Sequence, residues 1–359
     1  MIPASTSPSR LKSVAAFGQQ LWLDNLSREL IASGALNDAI VADGIAGVTT
    51  NPAIFYQAIL TSPAYQAALP ALRAALATPE ARFEALVQPD VQRACELFAA
   101  TYEQSGCRAG FVSMEVAPQH AHDAVATLAE ARRLWAAIAR PNVMIKIPAT
   151  EAGILALEEA IFAGINVNMT LVFTTRQLHA VRAAHRRGLA RRLEAKLSVQ
   201  RIASVASVFI SRVDAAVDAL LPAAAASLRG KAAIAAARLA YRDWQNDAAF
   251  AVFAAFGATP QALLWASTAT KDPAMRDVRY VEELIGEGTV NTVPDATLAA
   301  FRDHGMARAS LGDNLADAQA VLSQLGRHGI DLDTIGKELL AKGLAQFEQA
   351  HANLLALVA

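Results

Sequence analysis

Lys146 is the residue of this sequence that packing alone explains least. It lies in the run Val143–Pro148, where Val143, Ile145 and Ile147 alternate with Met144 and Lys146. A strand would put the apolar set on one face and the lysine on the other. Lysine is depleted from strands, and an unpaired ammonium is costly to bury. A free lysine amine titrates near ~10.4 and is protonated at neutral pH. Burial disfavours the ammonium, and the neutral amine is a nucleophile that attacks a ketone to give an imine. The protonated imine is an electron sink: it stabilises the carbanion left when a neighbouring carbon–carbon bond breaks. Such chemistry needs one carboxylate to move protons through water as the imine forms and hydrolyses. It needs a second to take the proton of the departing hydroxyl. Glu115 and Asp24 suit those two tasks.

Further polar groups recur at the ends of β-type runs. Asn166, Asn168 and Thr170 share one face of a run whose other face is Val167, Met169 and Leu171, and Ser113 accompanies Glu115 against Val112, Met114 and Val116. Thr49 and Asn51, Ser207 and Ser267 come from three more runs. Taken singly, Asp24 reads equally well as a helix cap, Asn51–Pro52 as a turn and Ser207 as a small packing residue. Taken together they are more specific, because a barrel brings every strand end to one mouth, where the active sites of that fold sit.

The elements that would position them are eight short β-type runs: 21–24, 47–51, 111–116, 143–148, 165–173, 204–210, 263–268 and 290–294. Between them lie Ala-, Leu- and Arg-rich helical patterns such as 121–140, 174–197 and 211–244, the alternation of βα units on a parallel sheet. No linker or composition shift separates two halves. The expected fold is therefore α/β, a single (β/α)8 TIM barrel over residues 1–359 with its core at about 15–294. A helical insertion between strands 2 and 3 (about 56–110) and a C-terminal helical extension (about 295–359) exceed a minimal barrel.

Composition narrows the partners. Lys plus Arg number 32 against 33 for Asp plus Glu, a net charge of −1, and no basic run concentrates positive potential, so nucleic acid and anionic membrane are not expected partners. Hydrophobic residues make up 54% of the chain. Residues 248–270 carry no charge, yet Gly257, Thr259, Pro260 and Gln261 interrupt them, which predicts the end of a helix, a turn and a strand rather than a bilayer span. The N-terminus has Ser5, Ser7 and Pro8, then Arg10 and Lys12, with no apolar stretch following, so a cytoplasmic location is expected. Cys95 and Cys107 read as two reduced thiols. His120 and His122, after Pro118, lack the companions of a metal site, and none is expected.

These residues fall in segments that resemble the transaldolases, aldolase-type barrel enzymes of the pentose phosphate pathway. The matching segments are LWLDNLS (21–27), GVTTNPAIF (47–55), VSMEV (112–116), NVMIKIPATEAGI (142–154), GINVNMTLVF (164–173), SVASVFISRVD (204–214) and LLWASTATKDP (263–273). They cover seven of the eight strands in order, and the two additions are similar to those of a longer actinobacterial and cyanobacterial type. The resemblance implies that Lys146 forms the Schiff base and that Asp24 is the acid/base on the C4 hydroxyl. Glu115 would act through a water held partly by Thr170. Asn51 and Asn168 would bind substrate hydroxyls and the imine region, with Thr49 and Ser207 in the same pocket. Arg212 matches the family's phosphate-binding arginine, a fork of donors suited to a phosphate dianion. The run after the seventh strand, Ser267-Thr268-Ala269-Thr270-Lys271, departs from the family, which has a second arginine there. Ser267 keeps a place in the pocket, and Lys271 is the candidate second cation.

The implied activity is transfer of a dihydroxyacetone unit between sugar phosphates with no metal or organic cofactor, by a monomer or homodimer. The rival is a fructose-6-phosphate aldolase-like lyase, which uses the same lysine but releases dihydroxyacetone. Chain length and Glu115 speak against it, since those short enzymes resemble the core barrel alone. A barrel that binds sugar phosphates without turnover is the non-enzymatic alternative, and the joint presence of Lys146, Asp24 and Glu115 opposes it.

Overall fold

The alternation of strand and helix patterns closes on itself in the computed structural model, which describes residues 9–359; Ser5, Ser7 and Pro8 lie outside the described residues. Eight parallel strands, β1 (Gln20–Leu23), β2 (Gly47–Val48), β3 (Phe111–Glu115), β4 (Val143–Pro148), β5 (Val167–Val172), β6 (Ser204–Phe209), β7 (Ala262–Ala266) and β8 (Val290–Val293), form a closed barrel in chain order. β8 pairs back onto β1 from Gln20↔Val290 to Leu23↔Val293. The strand alternation works as its sequence dictates: Val143, Ile145 and Ile147 are wholly buried on the face opposite Lys146, where helices cover the barrel wall.

Aromatic side chains fill the lumen below the mouth. Trp22 and Phe111 lie with ring centroids 6.1 Å apart, and the Trp22 indole donates to Gln20 Oε1 at 3.0 Å. A Cβ at Gly47 would sit 2.7 Å from the Trp22 ring and 2.8 Å from the Phe111 carbonyl, so the glycine at the start of β2 makes room for this plug.

Strand ends pass into helices through side-chain caps. Asn51 accepts from the Ile54 amide and is followed by Pro52 in the first turn of the helix Pro52–Thr61. Thr150 caps Glu151–Ala163 through the Gly153 amide, and Thr174 caps Thr175–Glu194 through the Gln177 amide. Each cap satisfies an otherwise orphaned backbone donor and fixes the chain direction where it leaves the mouth.

The stretch expected as one helical pattern over 211–244 divides into Ser211–Asp218, a 3-10 turn at Ala223–Leu228 and Ala232–Gln245. Pro222 offers no amide to continue the first helix, and Gly230, at φ 64°, gives its amide to the Asp218 carboxylate instead. Residues 248–270 fold as expected, into short helical turns over 248–254, a left-handed Gly257 at φ 83° and then β7. Among the described residues, no helix is long and apolar enough to cross a membrane. His120 ends a 3-10 turn, and the helix Ala124–Ile138 begins only after Asp123 caps it.

Between β2 and β3 stand the helices Pro52–Thr61, Pro63–Ala75, Pro79–Leu97 and Ala99–Gln104. After β8, Asp295–His304 is the barrel's eighth helix, Leu315–Arg327 packs on Ala232–Gln245, and the long C-terminal helix Leu332–Val358 crosses the mouth. At one end its Gly336 lies against Thr174 and its Gly343 against Leu171. At the other, His351 meets Phe83 of the insertion with ring centroids 6.2 Å apart, and Arg73 donates to the carbonyls of Leu357 and Ala359. The insertion and the extension thus meet over one rim of the barrel.

Candidate active site

The Lys146 side chain is 7% exposed, so its ammonium has lost most of its water and must be paid back by protein partners. Its Nζ donates to the Thr50 carbonyl at 2.8 Å. Glu115 Oε2 lies 3.5 Å away, an ion-pair distance too long for a well-formed hydrogen bond. The Phe347 ring of the C-terminal helix stands 5.7 Å from Nζ, within reach of a cation–π contact. The register makes Glu115, Lys146 and Asn168 lateral neighbours on β3, β4 and β5. The Glu115 side chain is 6% exposed; burial pushes its carboxyl up to about 7, although the Lys146 charge pulls it down. A carboxyl of that kind exchanges protons readily near neutrality.

Asn168 ties the neighbouring strands together. Its amide donates to Ser113 Oγ at 3.0 Å, and its carbonyl accepts from Ser207 Oγ at 2.7 Å. On the opposite wall Asp24, directly after β1, accepts from Thr49 Oγ1 at 2.8 Å. With that proton committed, the 2.6 Å contact between Thr49 and Thr292 hydroxyls makes Thr292 of β8 the donor. Asp24 is raised above the ordinary aspartate range by burial, against the opposing effects of the Lys146 charge and the Thr49 hydrogen bond. Asn51 spends its carbonyl on the helix cap, which leaves its NH2 as a donor.

At the end of β5 the pairing with β6 shifts between Met169 and Val172, and Leu171 adopts a left-handed conformation, φ 59°. Such strain in a branched residue is uncommon and tends to collect at functional sites. Thr170 Oγ1 and Glu115 Oε2 are buried without a protein hydrogen-bond partner, an exception to the usual satisfaction of buried polar atoms. A cavity of about 400 Å³ reaches Glu115, Thr50 and Asn51 from the side of the insertion helices, past Phe83, His120 and His351. It touches neither Lys146 nor Asp24.

Arg212 occupies the first turn of the helix after β6, its guanidinium 5.3 Å from the Phe209 ring. Its Nη1 donates to Gln346 Oε1 of the C-terminal helix at 2.9 Å. Ser267 follows β7 in a left-handed conformation, φ 56°, with its hydroxyl 2.8 Å from that of Ser211. Lys271 is exposed on the next loop. The structure therefore gathers Lys146, Glu115, Asp24, Thr49, Asn168 and Ser207 at one mouth, with Arg212 and Ser267 on the β6–β7 side, and leaves Lys271 outside their contacts. Thr292, Gln346 and Phe347 were not anticipated. Thr292 had a signal, a polar residue near the end of the eighth β-type run, two positions after Val290 and so on the same face; Gln346 and Phe347 had none. Cys95 and Cys107 are free and buried, and His120 faces Glu130 at 3.4 Å.

The family model described as Transaldolase/Fructose-6-phosphate aldolase matches residues 21–358. A transaldolase of Neisseria gonorrhoeae is 50% identical over 349 residues, 96% of this chain and 98% of its own. Transaldolase 1 of Streptomyces coelicolor is 44% identical over 363 residues, covering 99% and 95%. Transaldolase 2 of Nostoc punctiforme is 42% identical over 372 residues, covering 97% and 96%. The match spans every strand of the barrel, both additions and all the side chains gathered around Lys146, and on it the chain belongs to the transaldolase/fructose-6-phosphate aldolase family.

Proposed function

We propose that the protein is a transaldolase. It transfers a dihydroxyacetone unit from sedoheptulose 7-phosphate or fructose 6-phosphate to glyceraldehyde 3-phosphate or erythrose 4-phosphate, in the non-oxidative pentose phosphate pathway. The observation that carries the reading is the buried Lys146 flanked by Glu115, with a second raised carboxyl, Asp24, at the same mouth. Lys146 Nζ adds to the ketose C2 carbonyl, and Glu115 delivers through water the proton with which the C2 oxygen leaves as water. Asp24 takes the proton of the C4 hydroxyl as the C3–C4 bond breaks, and the released electron pair is held as the enamine. The acceptor aldehyde then adds to that enamine, Asp24 returns the proton, and Glu115 with water hydrolyses the imine. The unpartnered Thr170 Oγ1 and Glu115 Oε2 suit a water held between them. Asn51, Asn168, Thr49 and Ser207 bind the sugar hydroxyls and the imine region. Arg212 and Ser267 receive the phosphate, with Lys271 as a second cation.

No metal or organic cofactor enters this chemistry, and the partners are small sugar phosphates rather than nucleic acid or membrane. We read residues 1–359 as one cytoplasmic domain acting as a monomer or homodimer; one hydrophobic cluster running from Leu11 to Val358 supports the single domain. The direct test is sedoheptulose 7-phosphate plus glyceraldehyde 3-phosphate, read out as erythrose 4-phosphate and fructose 6-phosphate. Release of free dihydroxyacetone from fructose 6-phosphate without transfer would instead identify the lyase.

A further inference from the structure

We infer that Gln346, on the C-terminal helix, is a phosphate-recognition residue: its carbonyl holds Arg212 in place and its amide nitrogen donates to the sugar's phosphate. The inference rests on the reading of Arg212 as the phosphate-binding residue. It starts from the 2.9 Å bond between Arg212 Nη1 and Gln346 Oε1. A guanidinium has five N–H donors in a planar fork, so one bond to a neutral acceptor orients the group and leaves the rest of the fork for a bidentate anion contact. With its oxygen turned to Arg212, the carboxamide carries its two N–H donors beside the same guanidinium. Two donor groups from different elements then converge on one anion.

The choice of an uncharged partner matters. A carboxylate at 346 would satisfy Arg212 outright and repel a dianion, whereas glutamine fixes the arginine without neutralising it. The helix is seated for this contact: a Cβ on Gly343, one turn earlier, would come 3.0 Å from Leu171 Cδ2 and 3.6 Å from Arg212 Nη1. The next residue after Gln346 is Phe347, whose ring stands against the Lys146 ammonium. Phosphate bound at Arg212 and Gln346 would therefore also steady the part of the helix that covers the reactive amine. Neither barrel strands nor the loop after β7 supply this group, which belongs wholly to the C-terminal extension.

Gln346 is exposed, so its replacement leaves the core untouched. The test compares kcat/KM for fructose 6-phosphate with that for unphosphorylated fructose, using unphosphorylated glyceraldehyde as acceptor, in Gln346→Glu, Gln346→Met and Arg212→Ala. Gln346→Glu should lower the preference for the phosphorylated donor by about ten- to a hundredfold, the worth of a hydrogen bond to a charged group. Gln346→Met should lower it several-fold, and both should leave fructose itself within about twofold. Inorganic phosphate should compete more weakly with fructose 6-phosphate in both variants. If Arg212→Ala collapses the preference while both Gln346 variants keep it within twofold, Gln346 is not part of phosphate recognition and the inference is overturned. If Arg212→Ala also keeps the preference, the phosphate reading of Arg212 fails and takes the inference with it.

Discussion

Two carboxyls share one lysine, and their surroundings separate what they can do. Glu115 is the lateral neighbour of Lys146 across the β3–β4 pairing, whereas Asp24 sits on the opposite wall in the Thr49–Thr292 chain. Asp24→Asn should still form the imine with a ketose and fail to cleave it; Glu115→Gln should slow imine formation and hydrolysis instead. Single-turnover trapping distinguishes them, and equally slow imine formation in both variants would contradict the division. Glu115 also makes a prediction about stability. Its folded-state carboxyl titrates at about 7 against an ordinary 4.5, so the native state holds this proton more tightly than the unfolded chain. That stabilisation is fully present below about pH 4.5 and is lost as pH rises through about 7. Denaturant unfolding of the wild type should lose roughly 1 to 3 kcal/mol more than Glu115→Gln between pH 5 and 8. Parallel pH curves for the two would show that the group is not raised. That Lys146, Glu115 and Asn168 face the same mouth was legible because strand alternation sorts polar from apolar residues without knowledge of the fold.

Among the elements, the strands could be read locally, while the C-terminal helix could not. Thr-Thr-Asn-Pro at 49–52 reads in sequence as a strand end passing into a turn, whereas β2 stops at Val48 and Asn51 and Pro52 open a helix as its cap and first residue. The helix Leu332–Val358 is amphipathic, and its sequence says that one face is buried without saying against what. That Phe347 meets Lys146 and Gln346 meets Arg212 is decided by how the helix crosses the mouth. Its seating depends on Gly336, where a Cβ would run into the Thr174 side chain. Gly336→Val should lift that end of the helix at a cost of about 1 to 3 kcal/mol, with faster amide exchange over 332–358 and a lower kcat. Exchange unchanged from wild type would show that the helix does not depend on this contact. The break in 211–244 is a different lesson: Pro222 and Gly230 were visible in the sequence, and the helical composition around them outweighed two breakers that proved decisive.

For the molecule as a whole, the barrel class followed from eight β-type runs interleaved with helices, because parallel strands need crossover helices and eight such units close. What the additions do was less legible, since contacts between the insertion and the extension join segments far apart in the chain, as His351 joins Phe83. The continuous core from Leu11 to Val358 predicts that the extension unfolds with the barrel. Far-ultraviolet circular dichroism should then coincide on heating with fluorescence of Trp22 and Trp265, both wholly buried; an earlier transition in helicity alone would mark the extension as a separate unit.

The central claim is that Lys146 is the covalent catalyst. Borohydride added with fructose 6-phosphate should reduce the imine, inactivate the enzyme irreversibly and add the mass of the trapped donor to Lys146, as read by peptide mass spectrometry. In Lys146→Arg, whose guanidinium stays protonated, both labelling and activity should vanish. Labelling at another lysine, or turnover surviving in Lys146→Arg, would contradict the account.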